Sequence, residues 1–324
     1  MRIVAALGGN ALLRRGEPPD AAVQIAHVRE AVRGLATLAD GNELVVTHGN
    51  GPQVGLLAVE SAADPALSAP YPLDVLGAET QGMIGYWLAR ELRRALPCRE
   101  IIAVLTETVV DPRDPAFGDP TKFVGRTYNA PEAERMRAEH GWIMRQDGTA
   151  WRRAVPSPEP RDIVELPTIA RLTDEGCLVI AAGGGGVPTG DDHRGIEAVV
   201  DKDLATALLA TRLKADTLLP LTDVPAIMRD HGTAHARPIG HITPGRLRRL
   251  PLPAGSMGPK AEAACRFAEH RHGAVAVIGA LTNVPALLSG TAGTRVDAVE
   301  RRSGTQASGT ATAAFPGQDE RRTT

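Results

Sequence analysis

The fold of this chain is decided by the stretch Leu44-Val45-Val46-Thr47-His48-Gly49-Asn50-Gly51-Pro52-Gln53. Its apolar first part is continuous rather than alternating, which is typical of a parallel strand covered on both faces. The glycines then predict a tight loop, and Pro52 suits the first turn of a following helix. A strand that leads through such a loop into a helix is the building unit of an α/β protein.

The same unit recurs along the 324 residues. Asp20 predicts the N-cap of a helix whose Val28, Val32 and Leu35 share one face with Ile25. Strand and helix patterns alternate, so we predict an α/β fold with an open, mostly parallel sheet and helices on both sides. The short apolar runs that predict buried strands are residues 3–7, 44–47, 101–105, 178–182, 217–221 and 275–278.

Two segments depart from this alternation. Residues 111–160 hold seven prolines and much charge, and they are too many for an ordinary structureless loop. We therefore expect an inserted subdomain at about 111–160, within one domain that spans 1–298. Residues 299–324 have too little apolar content to offset the entropy of ordering, so we predict a disordered tail there.

The composition argues against several classes of partner. A net charge of −2 provides no general attraction to nucleic acid or to an anionic membrane. No apolar run approaches the roughly 18 residues of a membrane span. The three cysteines are widely spaced and form no CxxC pair, which is typical of a reducing compartment. We expect a cytoplasmic protein.

Only four of the 36 Lys and Arg residues are lysines. A lysine carries a compact charge on a flexible stem, which suits a crowded phosphate site better than a wide guanidinium does. Lys122, Lys202 and Lys260 stand in unusual local sequence, in Pro-Thr-Lys, Asp-Lys-Asp and Gly-Pro-Lys. Lys214 is different, because its surroundings are those of an ordinary solvated helix end. The first three are therefore candidates for binding phosphate.

Glycine-rich turns follow three predicted strands, and a fourth glycine-bearing segment precedes a helix. The carboxyl ends of the strands form the ligand crevice of an open α/β sheet, where backbone N–H groups and helix N-termini bind anions. No lysine follows a glycine, as a Walker loop requires, and Pro188 or Thr189 stands where G-x-G-x-x-G needs its third glycine. The pattern predicts an anion site of neither common type. The segments are 8–12, 47–53, 183–188 and 255–260.

From residue 1 to about 298 the chain resembles carbamate kinase, a family of the amino acid kinase superfamily. Eight segments carry the resemblance. They are Ala6-Leu7-Gly8-Gly9-Asn10-Ala11-Leu12, Thr47-His48-Gly49-Asn50-Gly51-Pro52-Gln53-Val54-Gly55, Asp74-Val75-Leu76-Gly77-Ala78-Glu79-Thr80-Gln81-Gly82, Pro120-Thr121-Lys122, Val155-Pro156-Ser157-Pro158, Glu197-Ala198-Val199-Val200-Asp201-Lys202-Asp203, Leu221-Thr222-Asp223-Val224 and Gly255-Ser256-Met257-Gly258-Pro259-Lys260.

The resemblance implies a three-layer αβα sandwich, the amino acid kinase fold, with a protruding inserted subdomain and assembly into a homodimer. It implies reversible phosphoryl transfer between ATP and carbamate, giving ADP and carbamoyl phosphate, run toward ATP synthesis. Mg²⁺ would accompany the nucleotide, and no residue is assigned as a metal ligand. Carbamate is already an anion and needs no general base, so lysines and backbone N–H groups must screen the charge of the two reactants.

The resemblance also implies roles for single residues. The catalytic set would be Asn10, Lys122, Lys202, Asp203 and Lys260, with Asp203 orienting lysine side chains. The residues implied for the transferring phosphoryl group and carbamate are Gly8, Gly9, Gly49, Asn50, Gly51 and Lys122, the last on a mobile lid. Those implied for the nucleotide are Lys202, Asp223, Met257, Gly258 and Lys260. His48 is interpreted as a turn residue rather than a base, and Asp201 as the partner of an arginine.

Two other functions stay open at this point. One is a superfamily kinase that phosphorylates an acyl carboxylate such as N-acetylglutamate, against which Asn10 and the insertion argue. The other is a non-catalytic sensor of nucleotides or anions. The joint presence of Lys122, Lys202, Asp203 and Lys260 argues against a sensor, which needs no complete set for phosphoryl transfer.

Overall fold

The computed structural model describes residues 1–14, 16–233, 235–253 and 255–298, so the predicted tail, 299–324, lies outside the described residues. The helices are α1 (Ala21–Ala39), α2 (Gly51–Ala63), α3 (Leu73–Ala95), α4 (Ala130–His140), α5 (Leu166–Asp174), α6 (Lys202–Arg212), α7 (Pro244–Leu247), α8 (Met257–His270) and α9 (Val284–Leu288). None of these described helices is both long enough and apolar enough to cross a membrane.

The strands are β1 (Arg2–Leu7), β2 (Glu43–His48), β3 (Ile101–Ala103), β4 (Glu107–Val110), β5 (Lys122–Tyr128), β6 (Met144–Asp147), β7 (Ala150–Val155), β8 (Pro160–Ile163), β9 (Leu178–Ile180), β10 (Val187–Thr189), β11 (Thr217–Thr222), β12 (Met228–Arg229), β13 (Arg237–Pro238), β14 (His241–Ile242), β15 (Val275–Ala280) and β16 (Thr294–Val296).

Eight strands form the central sheet, in the order β14-β16-β15-β11-β1-β2-β9-β3. Neighbouring strands are parallel except β15 and β16. All six predicted strands lie in this sheet. Parallel neighbours need crossover connections, and helices provide them, for example α1 between β1 and β2 and α8 between β11 and β15. The prediction of an α/β fold with a mostly parallel sheet is confirmed.

The core lies on both faces of the sheet, because successive side chains of a strand point to opposite sides. Along β1, Val4 belongs to one buried cluster with residues of α6 and α8. Ile3, Ala5 and Leu7 belong to the other, with residues of α1 and α3. Helices therefore cover both faces, as the continuous apolar strand sequences require. On α1 the predicted face is buried, although the N-cap residue Asp20 makes no side-chain capping hydrogen bond.

The segment predicted as an insertion builds a sheet of its own. Strands β5, β7 and β6 pair antiparallel, and α4 packs on them through a small core of Tyr128, Ala133, Trp142 and Met144. Helix α4 begins with a capping box, in which Asn129 and Glu132 each bond the other's backbone amide. Strands β4 and β8 pair antiparallel where the chain leaves and returns. We call residues 111–160 the subdomain.

Candidate active site

Three loops leave the same edge of the central sheet. Leu7, the last residue of β1, is in register with His48 on β2 and with Leu221 on β11. The loops that follow these residues therefore begin side by side, as expected at the carboxyl edge of parallel strands. The first two touch, since a Cβ atom added to Gly49 would lie 3.1 Å from the backbone nitrogen of Gly9. Asn10 lies in the 3₁₀ turn Gly9–Ala11 of the first loop.

The predicted carbamate loop is fixed from two sides. Asn50 is buried, and its Nδ2 donates a 2.8 Å hydrogen bond to Thr80 Oγ1 on α3. Gly184, from the four-glycine run, lies against it: a Cβ atom there would be 2.2 Å from Asn50 Nδ2. Gly184 has a φ of +65°, which glycine adopts without strain. The glycine run therefore packs against the amide side chain, and Gly51 begins helix α2 directly after it.

His48 is buried at the end of β2, with an exposure of 1%. Burial lowers the pKa of its imidazole to about 4, and the charge of Lys202 acts in the same direction. Its Nδ1 lies 3.1 Å from the carbonyl oxygen of Gly49. Gly183 packs on the ring, since a Cβ atom there would be 2.4 Å from Nε2. His48 is therefore neutral at pH 7 and wedged between the second loop and the glycine run.

Two lysines from different helices converge on one carboxylate. Lys202 Nζ lies 3.0 Å from Asp203 Oδ1, and Lys260 Nζ donates a 3.1 Å hydrogen bond to Asp203 Oδ2. Lys202 and Asp203 begin α6, and Lys260 lies in the first turns of α8. The side chains are 11%, 8% and 14% exposed respectively. We call Lys202, Asp203 and Lys260 the lysine cluster.

The lysine cluster adjoins the first glycine loop, because Lys202 Nζ also donates a 3.1 Å hydrogen bond to the carbonyl oxygen of Leu7. Burial alone would raise the pKa of Asp203, but the two ammonium groups outweigh it and lower the pKa to about 2. Burial lowers the pKa of Lys202, and the charge of Asp203 opposes that change. With two cations and one anion, the cluster carries an excess positive charge that can attract a phosphate.

Lys122, the first residue of β5, reaches from the subdomain to the main body. Its Nζ donates a 2.5 Å hydrogen bond to Asp201 Oδ2. The other oxygen, Asp201 Oδ1, accepts from the backbone amides of Asp203 and Leu204 and so caps α6. The expectation that Asp201 pairs with an arginine was therefore wrong. Lys122 is 79 residues away, and local sequence gives no sign of it.

The residues predicted for the nucleotide lie at the end of strand β11 and at the start of helix α8. Asp223 follows β11 and is exposed; its Oδ1 accepts a 3.0 Å hydrogen bond from Thr222 Oγ1. Met257 and Gly258 begin α8, one turn before Lys260. The backbone amide of Gly258 donates a 2.8 Å hydrogen bond to the carbonyl oxygen of Pro253. The structure thus brings Lys260 into the lysine cluster and leaves Asp223 at the adjoining strand end.

Sequence reasoning missed Thr80 and Glu197. Thr80 binds the Asn50 side chain, and Glu197 accepts from the backbone nitrogen of Leu73 at the start of α3. Both residues stand inside segments that were singled out. Neither could be distinguished from its neighbours by sequence, because a single hydroxyl or carboxylate on a helix or loop forms no recognisable pattern.

Comparison with known proteins defines the class of protein. The model of the amino acid kinase family matches residues 1–279, so the chain belongs to that family. Its similar relatives include a carbamate kinase of Rhizobium meliloti, 50% identical over 301 residues (91% of this chain and 92% of the relative). Another, from Escherichia coli K12, is 48% identical over 292 residues (90% and 98%). Within the family, the chain therefore belongs to the carbamate kinases.

Solved structures agree with this grouping. The carbamate kinase of Giardia lamblia bound to citric acid matches with a TM-score of 0.85 and 38% identity, over 91% of this chain and 98% of that one. The same enzyme bound to AMP-PNP matches with a TM-score of 0.83 and 38% identity over the same shares. The chain is accordingly a kinase with the amino acid kinase fold.

Proposed function

We propose that this carbamate kinase transfers a phosphoryl group reversibly between ATP and carbamate, and that it works in the direction of ATP synthesis from ADP and carbamoyl phosphate. Carbamoyl phosphate is a mixed acid anhydride, so transfer from it to ADP runs downhill. The observation that carries the proposal is the lysine cluster next to the glycine loops. Lys202 and Lys260 share Asp203 at 3.0 and 3.1 Å.

This reaction requires the protein to screen negative charge and to align the reactants, and it does not require a general base. The attacking oxygen of carbamate or of ADP is already anionic, so no proton has to leave it. In our proposal Lys202 and Lys260 bind the oxygens of the transferring group, and Asp203 holds the two lysines in place. Backbone N–H groups of Gly8, Gly9 and Asn10 complete the cradle, as donors fixed before reaction stabilise developing charge best.

The small substrate would lie at the second loop. We assign it to the backbone of Gly49 and Gly51 and to Asn50, whose amide is held by Thr80. Lys122 would face it from the subdomain, which we propose acts as a lid. Carbamate has few atoms available for binding, so one charge-assisted hydrogen bond contributes a large share of its binding free energy.

The nucleotide would lie on the other side of the lysine cluster. We assign its pocket to Asp223, Met257 and Gly258, with Lys202 and Lys260 on its phosphates. The start of α8 supports this assignment, because a helix N-terminus favours negative charge. The solved relative with AMP-PNP bound is a further reason to expect a nucleotide site in this fold.

We propose that Mg²⁺ enters as part of the nucleotide substrate. Within the described ranges, no three His, Cys, Asp or Glu side chains are grouped so as to hold a metal ion. Two carboxylates at the site, Asp201 and Asp203, are paired with lysines. Mg²⁺ commonly binds through substrate phosphates and water with few protein ligands, and this chemistry suits the residues present.

We further propose a homodimer built through the β3 edge of the central sheet. Tyr86 on α3 is 57% exposed, and Ile102 and Leu105 at the edge are 38% and 55% exposed. All three line a groove of about 350 Å³, and exposed apolar patches of this kind favour association. Sedimentation velocity of the wild type and of Leu105→Asp tests this: we expect a dimer and a monomer. A wild-type monomer would contradict it.

We also propose that the protein works in the cytoplasm. Cys98, Cys177 and Cys265 are all free thiols, and a reducing compartment keeps thiols in that form.

The test of the proposed function is ATP formation. Purified protein is mixed with MgADP and carbamoyl phosphate, and separately with MgADP and N-acetylglutamyl phosphate, while ADP binding is followed by calorimetry. We expect ATP from carbamoyl phosphate alone. ATP from the acyl phosphate alone would assign a different acceptor, and ADP binding without turnover of either compound would indicate a sensor.

A further inference from the structure

The stretch 197–201, directly before α6, contacts the subdomain at every second residue. Glu197 Oε1 lies 3.2 Å from Arg153 Nη2 on β7. The backbone nitrogen of Val199 donates a 3.0 Å hydrogen bond to the carbonyl oxygen of Pro156. Asp201 Oδ2 accepts the 2.5 Å hydrogen bond from Lys122 Nζ. We call residues 197–201 the strap.

The intervening residues of the strap are buried. Ala198 and Val200 are each 1% exposed, and Val200 packs with Val110 and with Ala205 of α6. The strap is therefore anchored in the main body on one side and holds the subdomain on the other. It ends at Lys202, the first residue of the lysine cluster.

The two carboxylate oxygens of Asp201 accept hydrogen bonds from different parts of the fold, one from α6 and the other from the subdomain. Oδ1 accepts from the backbone nitrogens of Asp203 at 2.9 Å and Leu204 at 3.2 Å, which fixes the first turn of α6. Oδ2 holds the ammonium of Lys122. One carboxylate thus sets the position of the subdomain lysine relative to the helix that carries Lys202 and Asp203.

We propose that Asp201 is a positioning residue for phosphoryl transfer, which holds Lys122 at a fixed place over the crevice and acts through it rather than on the substrate. The inference rests on the proposed function, in which Lys122 contacts the small substrate. An ammonium group has three N–H donors, so Asp201 leaves others for an anion. When the lid is closed, Asp201 holds the flexible stem of Lys122, so the substrate does not have to order that side chain itself.

One substitution separates the two duties of Asp201. In Asp201→Asn the Oδ1 acceptor remains and can still cap α6, as Asn does at helix N-termini. Oδ2 is replaced by an NH₂ group, which cannot accept from an ammonium. Asp201→Ala removes both interactions. We expect an unchanged Tm for Asp201→Asn and a lowered Tm for Asp201→Ala.

The test is a double-mutant cycle of Asp201→Asn and Lys122→Ala. For each protein, kcat and KM for carbamoyl phosphate are measured beside the Kd for ADP. Asp201→Asn alone should lower kcat/KM by about 10- to 100-fold, the range of one charged hydrogen bond, chiefly through KM. The Kd for ADP should stay the same. In the Lys122→Ala background, the second substitution should change kcat/KM less than about twofold, because its effect runs through the missing lysine.

The control is the same Asp→Asn substitution at the amino ends of the parallel strands, whereas the lysine cluster lies at their carboxyl ends. Asp40 is exposed at the end of α1, just before β2 begins, so Asp40→Asn should leave all parameters unchanged. Equal losses from Asp201→Asn in both backgrounds would overturn the proposal, and so would full activity of Asp201→Asn. A wild type that forms no ATP would overturn the proposed function and this inference together, whereas the two preceding outcomes overturn this inference alone.

Discussion

Gly55 on α2 and Gly125 on β5 touch backbone to backbone. A Cβ atom added to Gly55 would lie 2.0 Å from the Cα atom of Gly125, whose φ is +73°. Helix α2 begins at Gly51, and β5 begins at Lys122. The contact therefore sets the distance between the second glycine loop and the lysine of the subdomain, at a crossing that only a missing side chain permits.

Gly55→Ala should displace the subdomain. The added methyl group meets backbone rather than a flexible side chain, and overpacking of this kind costs about 1–3 kcal/mol. We expect a lower Tm and a higher KM for carbamoyl phosphate, measured by thermal unfolding and steady-state kinetics. The control is Gly77→Ala on α3, where an added Cβ meets nothing within 4 Å, and alanine favours the helix. Equal behaviour of the two variants would contradict the account.

Lys122→Ala should weaken the use of carbamoyl phosphate without weakening the binding of ADP. Lys122 belongs to the subdomain, whereas Lys202 and Lys260 pair with Asp203 in the main body. We therefore expect a much higher KM for carbamoyl phosphate and a lower kcat, with an almost unchanged Kd for ADP by calorimetry. Arg126→Ala, at an exposed position on the same strand, serves as the control. Weak ADP binding with an unchanged KM would instead place Lys122 at the nucleotide.

His48 should make stability depend on pH in a defined window. Burial lowers the pKa of His48 to about 4, whereas in the unfolded chain it is about 6.5. Below pH 6.5 the unfolded chain binds a proton that the folded protein rejects, so stability falls as the pH drops from about 6.5 to about 4. The full effect is about 3 kcal/mol.

The measurement is urea unfolding of the wild type and of His48→Gln at pH 7 and at pH 4.5. Whatever His48→Gln costs at pH 7, the gap in unfolding free energy between the two proteins should shrink or reverse at pH 4.5. A gap that is the same at both pH values would mean that His48 has the same pKa in the folded and the unfolded protein, and a wider gap at pH 4.5 would mean that folding raises its pKa.

The sequence predicted the central sheet because buried parallel strands are continuous apolar runs, and all six predicted runs lie in it. The strands of the subdomain escaped prediction for a physical reason. In β7, Arg152 and Arg153 interrupt the apolar pattern, yet Arg152 lies 5.4 Å from the ring centre of Phe123 and Arg153 lies 4.4 Å from that of Trp142. Arginines that stack on aromatic rings here take the place of aliphatic core residues.

The site was predictable in part. Glycines at strand ends indicate a crevice because parallel strands share their carboxyl edge, and the scarcity of lysine drew attention to Lys202 and Lys260. The partner of Asp201 was not predictable, since the contact joins residues 79 positions apart on separate parts of the fold. Ion pairs of that kind depend on how the subdomain is placed, which no local pattern encodes.

The central claim is that lysines at 202 and 260 carry the phosphoryl transfer, and the most direct test is kcat for ATP formation from MgADP and carbamoyl phosphate in Lys→Arg variants. Lys202 and Lys260 are 11% and 14% exposed and share Asp203, so a wider guanidinium cannot take the same position. Lys214, exposed just after α6, provides a matched control with the same substitution.

We predict that Lys202→Arg and Lys260→Arg each lower kcat by 10²-fold or more, about 2.7 kcal/mol of transition-state stabilisation, while Lys214→Arg matches the wild type. Near-normal kcat in both Lys202→Arg and Lys260→Arg would contradict the account.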